Sequence, residues 1–155
     1  VTGVQTCALP IWEATDAIKG KPVNAALAAD LNRRFPGDGA VFKGIEKACH
    51  EAIKAGWMCD REMGGIKFGR VIKPNPDLGQ MSVDVVQMKD VVGPHHSHPK
   101  GEIDMIMPIT PSAKFDGHGR GWFVYGPESA HKPTVAEGEA LVLYLLPEGQ
   151  IQFTK

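Results

Sequence analysis

Only three cysteines occur in 155 residues, Cys7, Cys49 and Cys59. None stands in the Cys-x-x-Cys spacing of a zinc knuckle or redox motif, and three are too few for a disulfide framework. A reducing, cytoplasmic compartment suits that usage. Lysine and arginine form no run or stripe, and the formal net charge is −1. A nucleic-acid partner therefore has no electrostatic support. No apolar stretch approaches the ~20 residues of a membrane span, so no membrane is expected. Repeats and low-complexity tracts are missing as well. What remains is a chain long enough for one domain with a substantial core.

Residues 12–57 read as helical. Trp12 to Gly20 forms a short helix. From Val23 to Phe35, Val23, Leu27 and Leu31 recur every four residues as an apolar stripe. Pro36-Gly37-Asp38-Gly39 stops it. A second long helix, Ala40 to Gly56, carries Phe42, Ile45, Cys49 and Ile53 along one face, which makes Cys49 a packing residue and leaves His50 on the wet side. After Trp57 the texture changes to short strands punctuated by Gly and Pro. The strands are expected at Ile66–Ile72, Met81–Met88, Glu102–Met107, Gly121–Tyr125, Ala140–Leu146 and Gln150–Phe153. Leu141–Leu146 is a continuous apolar run suited to a central strand. Val85-Val86 breaks an alternating pattern and implies either a bulge or a strand buried on both faces. Regularly spaced short strands predict a mainly β domain, an antiparallel barrel or sandwich preceded by two or three helices.

The densest chemistry lies between Gly93 and Ile106. His96 and His98 are two apart, so on a strand both rings point to one side. Pro99-Lys100-Gly101 turns the chain, and Glu102 opens the next strand within reach of both rings. His-x-His alone suits a water-facing turn better than a metal site. The added Glu102, flanking glycines and following apolar strand point instead to a divalent metal ion. His95 has the opposite parity and should point away. Asp104 shares the parity of Glu102. It is expected either to carry a proton or to orient a ligating histidine. A second Pro-bounded turn, Pro127-Glu128-Ser129-Ala130-His131, offers a further imidazole.

These segments resemble the two motifs of the cupins. Gly93, His96, His98 and Glu102 match the first, and Pro127, Ser129 and His131 the second. Ser129 stands where Gly is usual, His131 comes one residue early, and the late Asn is missing. Beyond the motifs, Gly56-Trp57-Met58-Cys59, Gly64 to Lys73, His95 to Pro108 and Leu141 to Pro147 together resemble the 4-hydroxylaminobenzoate lyase family, over roughly residues 23–155. The resemblance implies a cupin-type β-barrel over 58–155, with the helical segment 12–57 packed on it as one domain. It implies one divalent metal ion, Fe, Mn, Ni or Zn, on His96, His98, Glu102 and His131, with Glu102 and Asp104 catalytic. It also implies a lyase converting 4-hydroxylaminobenzoate to 3,4-dihydroxybenzoate and ammonia in nitroaromatic catabolism. Such a substrate is a small aromatic carboxylate. Arg70 is the favoured cation for its carboxylate, ahead of Lys73 and Arg120, and Tyr125, Tyr144 and Trp122 are available to stack on its ring. His118 reads as a loop residue near the mouth. A homodimer is the expected assembly. Another cupin metalloenzyme, a dioxygenase or isomerase of small acids, and a non-catalytic cupin sensor remain the alternatives.

Residues 1–11 read Val-Thr-Gly-Val-Gln-Thr-Cys-Ala-Leu-Pro-Ile. They resemble the conceptual translation of a sequencing-library adapter. On that reading the native sequence begins near Trp12, and residues 1–11, Cys7 included, add little to the fold. A signal peptide would need a charged start and a longer apolar run.

Overall fold

A computed structural model describes residues 11–154. Residues 1–10 lie outside the described residues, and with them most of the adapter-like segment. Its last member, Ile11, is helical and only 1 % exposed, packed into the helix-side core.

Three helices come first among the described residues. α1 covers residues 11–18, α2 Ala25–Arg34 and α3 Ala40–Lys54. Asn24 caps α2, its side-chain oxygen accepting from the Leu27 amide, and Arg33 and Arg34 sit in the last turn where a cation suits the dipole. The expected stripes are the buried ones: Leu27 and Leu31 on α2, Phe42, Ile45 and Cys49 on α3. Val23 precedes α2 rather than opening it, and with Ile53 packs half-buried at the edge of the core. Each fully buried large side chain contributes roughly 1.5–3 kcal/mol.

Ten strands follow. β1 is Arg61–Met63, β2 Ile66–Asn75, β3 Met81–Val92, β4 His96–His98 and β5 Glu102–Pro108. β6 is Lys114–Phe115, β7 Gly121–Tyr125, β8 Ser129–His131, β9 Thr134–Pro147 and β10 Gln152–Phe153. They form two antiparallel sheets. The larger runs β1-β2-β3-β9-β5-β7, with β6 also on β9; the smaller is β10-β4-β8. This is the expected mainly β architecture, with helices in front and antiparallel sheets behind.

Strand alternation divides the core. Val83, Val85, Ile103, Met105, Leu141, Leu143 and Leu145 face the helices. Val86, Met88, Ile106, Val142, Tyr144 and Leu146 face the other way, towards the inner side. Val85 and Val86 therefore belong to a strand buried on both faces; the break in register falls further on, between Lys89 and Val91. β9 is central, between β3 and β5, as its apolar run requires, but it starts at Thr134 rather than Ala140. Its first half is disguised by polar Ala136-Glu137-Gly138-Glu139, where positive φ at Glu137 (62°) and Gly138 (136°) bends the strand.

β7 fastens the helices to the sheet. Asn32 on α2 both accepts from the Trp122 amide and donates to its carbonyl, at 2.9 Å each. The Trp122 indole N–H donates to the Phe35 carbonyl at 2.9 Å, and its ring meets Phe42 edge-on. Arg120 pairs with Glu46 of α3 and lies over the Phe42 ring. Trp122 and Arg120 are thus structural, and β7 is left with Phe123 and Tyr125 on its inner face. Among the described residues no helix is long and apolar enough to cross a membrane.

Candidate metal centre

His96 and His98 lie on β4 with both side chains buried and Ser97 between them turned outward. The turn after them depends on Gly101, whose φ is +90°. A Cβ there would sit 2.7 Å from a Val23 methyl and 2.8 Å from the Tyr125 carbonyl oxygen. Its N–H donates to the His98 carbonyl at 3.1 Å, closing the turn and setting Glu102 at the start of β5. β8 pairs antiparallel with β4 so that His131 is the direct partner of His96. Three histidines from the small sheet therefore meet one carboxylate from the large sheet.

One ligand atom from each of His96, His98, Glu102 and His131 lies within 4.8 Å of all the others. His131 Nε2 is 3.2 Å from His96 Nε2, and Glu102 Oε2 is 3.6 Å from His96 Nε2 and 3.7 Å from His131 Nε2. His98 Nε2 touches the same oxygen. Each Nδ1 is engaged elsewhere: His96 with the Pro94 carbonyl at 3.3 Å, His98 with Ser129 Oγ at 3.0 Å, His131 with Asp116 Oδ2 at 2.5 Å. Ser129 Oγ gives its own proton to the Gly126 carbonyl at 2.6 Å, so it accepts from His98. These partners place the ring protons on Nδ1 and turn three Nε2 lone pairs inward. His98 Nε2 and both Glu102 oxygens are buried without a hydrogen-bond partner among the described residues. Buried polar atoms left so are costly, and a divalent cation would satisfy all three. Three neutral imidazoles and a carboxylate fit such an ion.

Charge is arranged to match. Burial pushes the Glu102 carboxyl up, yet its interactions with His131, His96, His98 and Asp104 outweigh this and hold it well below the usual range. Burial disfavours a charge on His131, but Asp116 and Glu102 prevail and raise it to about 9, so at neutral pH an ion binds there by displacing the Nε2 proton. Asp116 is likewise opposed by burial and lowered by hydrogen bonds from His131, Tyr125 and the Thr134 amide. Asp104, two residues along β5 from Glu102, is 0 % exposed, and neither oxygen accepts a hydrogen bond. Burial first, then the Glu102 charge, raises it well above the usual range.

Of the other residues expected near the site, Tyr125 and Tyr144 face inward. Tyr125 is the direct partner of Glu102, its ring 4.3 Å from that of His131, and its hydroxyl donates to Asp116. Tyr144 is buried between Asp84 and Asp104 on the neighbouring strands. Arg70 shares that cross-strand row but is bound to Asp84, Nε to Oδ1 at 2.8 Å and Nη2 to Oδ2 at 3.2 Å, and also donates to the Gly149 carbonyl. Lys73 borders a cleft of about 470 Å³ that Arg70 also lines, with Trp57, Cys59 and Arg61. His95 points away, to Thr154. His118 stacks on Phe123 with centroids 3.7 Å apart, and Phe123 in turn meets Tyr125 edge-on at 5.0 Å. Asp116 and Phe123 did not stand out in the sequence. The Asp-Gly that follows a two-residue strand is the sole local hint of Asp116, and strand parity with Tyr125 the hint of Phe123.

A family model described as "PnbB: 4-hydroxylaminobenzoate lyase" matches residues 10–153. The chain is 27 % identical over 153 residues to a 4-hydroxylaminobenzoate lyase of Pseudomonas putida, covering 88 % of this chain and 87 % of the relative. It is 27 % identical over 145 residues to a protein of the same name from Nocardioides sp. (strain LMS-CY), covering 88 % and 86 %. Among solved structures it is similar to an RmlC-like cupin protein of Ralstonia eutropha JMP134, with a TM-score of 0.45 and 12 % identity over 59 % of this chain and 60 % of that one.

Proposed function

Because the chain belongs to the 4-hydroxylaminobenzoate lyase family, we propose that it is a metal-dependent lyase converting 4-hydroxylaminobenzoate to 3,4-dihydroxybenzoate and ammonia. The reaction consumes one water and involves no net oxidation. The observation that carries the reading is the convergence of three inward Nε2 atoms on an otherwise partnerless buried Glu102. A divalent ion held by His96, His98, Glu102 and His131 would supply Lewis acidity to substrate oxygen.

The chain's own residues supply the rest. Glu102 offers the negative charge that binds the ion. Asp104 lies on the same inner face, buried and beside Glu102, where it moves a proton to the departing hydroxylamine oxygen. Phe123 and Tyr125 form an aromatic wall that ends against His98 and His131, and His118 extends it outward. A planar benzoate ring stacks on such a wall. Tyr144 closes the floor between Asp104 and Asp84. Arg70 holds the substrate carboxylate with what its Asp84 pair leaves free. Burial of the centre excludes bulk water from these steps.

The test is incubation of the metal-loaded protein with 4-hydroxylaminobenzoate under anaerobic conditions, following ammonia and catechol formation with and without chelator. Chelator-sensitive release of both is expected. No ammonia from fully loaded protein would exclude the lyase, and turnover of an aromatic acid only in air would favour an oxygenase.

A further inference from the structure

We infer that Asp116 is a positioning residue of the metal centre, holding His131 with Nε2 turned inward while fastening the Tyr125 ring beside it. The inference rests on the metal-centre reading above. Asp116 follows the two-residue strand β6, which is pinned to β9 through Lys114–Ala136 and Phe115–Val135. The residue itself has φ 49°, followed by Gly117 at 83°, so the chain turns sharply and aims the carboxylate back at β8. Its backbone is fixed on the spot. The Asp116 N–H donates to the Thr134 carbonyl at 2.8 Å, and the Thr134 N–H donates to Asp116 Oδ1 at 2.8 Å.

That leaves Oδ2 for His131 Nδ1–H at 2.5 Å and for the Tyr125 hydroxyl. Three donors thus converge on one carboxylate. No neutral isostere can accept all three, since an amide has one acceptor oxygen and would turn its NH₂ group towards an N–H or O–H. The three histidines are also unequal. His96 and His98 lean on a neutral carbonyl and a neutral hydroxyl, whereas His131 alone leans on an anion. A carboxylate on Nδ1 fixes the ring's orientation and makes Nε2 a better donor. Pinning the Tyr125 hydroxyl spends its proton on Asp116, so Tyr125 serves as a wall and not as an acid.

The experiment is Co(II) titration of the full chain, read by visible absorption, for wild type, Asp116→Asn, His131→Ala and the double variant. Asp116→Asn should weaken Co(II) binding by roughly 10–100-fold, with metal-free melting little changed. In the His131→Ala background the same substitution should have almost no further effect, because the carboxylate acts through that ring. Equal losses in both backgrounds, or an unchanged affinity, would overturn the inference. Should Asp116→Asn not fold, ¹⁵N shifts of wild-type protein loaded with Zn(II) decide: His131 must show a protonated Nδ1 and a ligating Nε2, and the reverse tautomer refutes the assignment. None of these readouts uses hydroxylaminobenzoate, so a failed lyase reading and a failed Asp116 assignment are told apart.

Discussion

Asp104 and Tyr144 are direct cross-strand partners on β5 and β9, buried side by side on the inner face that also carries Glu102. An acid in that setting is either the proton carrier or a brace for the site. Asp104→Asn keeps size and hydrogen bonding and removes the titrating proton. The expected result is normal metal content with kcat lowered on the order of 10²-fold or more. A 10–100-fold loss of metal affinity instead would make Asp104 an orienting group, and no change in either would remove it from the mechanism.

Gly101→Ala should weaken metal binding by the four-residue site. The added Cβ meets Val23 and the Tyr125 carbonyl at under 3 Å, in a backbone conformation at φ +90° that alanine resists. Relief requires the His98–Glu102 turn to shift, and Glu102 with it. Metal stoichiometry after dialysis is the measurement; full occupancy in the variant would show that the turn can yield without moving the carboxylate.

Arg70→Met should raise KM for a benzoate substrate and leave kcat nearly unchanged, since a carboxylate clamp serves ground and transition states alike. It also strips a partner from Asp84, whose carboxyl burial already pushes up. The ion pair is partly exposed, so the loss of stability should be modest, about 1 kcal/mol. Steady-state kinetics and urea melts separate the two effects. An unchanged KM would leave Arg70 as a strand-to-strand tie only.

Cys59 should resist thiol reagents in the folded protein. Burial, then the nearby Asp60 charge, pushes its thiol up to about 12, and Sγ donates to the Val85 carbonyl. At pH 8 the thiolate is about one part in 10⁴. Peptide-mapped alkylation should find Cys59 modified only in denaturant; rapid labelling of native protein would show that the segment opens.

Part of this architecture was legible along the chain and part was not. The helical stripes and the run Leu141–Leu146 were readable because period and burial coincide there. His96, His98 and Glu102 were readable because a strand, a turn and a strand bring them together locally. His131 emerged through its motif. Asp116 stayed hidden, since Asp-Gly-His-Gly has the composition of any solvent turn, and only the pairing of β6 with β9 carries it to His131. The Arg70–Asp84 pair was equally hidden. It depends on a register that shifts between Arg70 and Ile72, which no periodicity in either strand reveals.

The two sheets do not share the four converging residues evenly. Glu102 belongs to the large sheet, and all three histidines belong to the small one, whose strands are only two or three residues long. An ion bound by all four would act as a rivet between layers, so affinity for the ion and cohesion of the layers become a single thermodynamic quantity. Amide exchange in β4 and β8 would then report occupancy directly. Any change that loosens the layers, however far from the histidines, would register as a weaker grip on the ion.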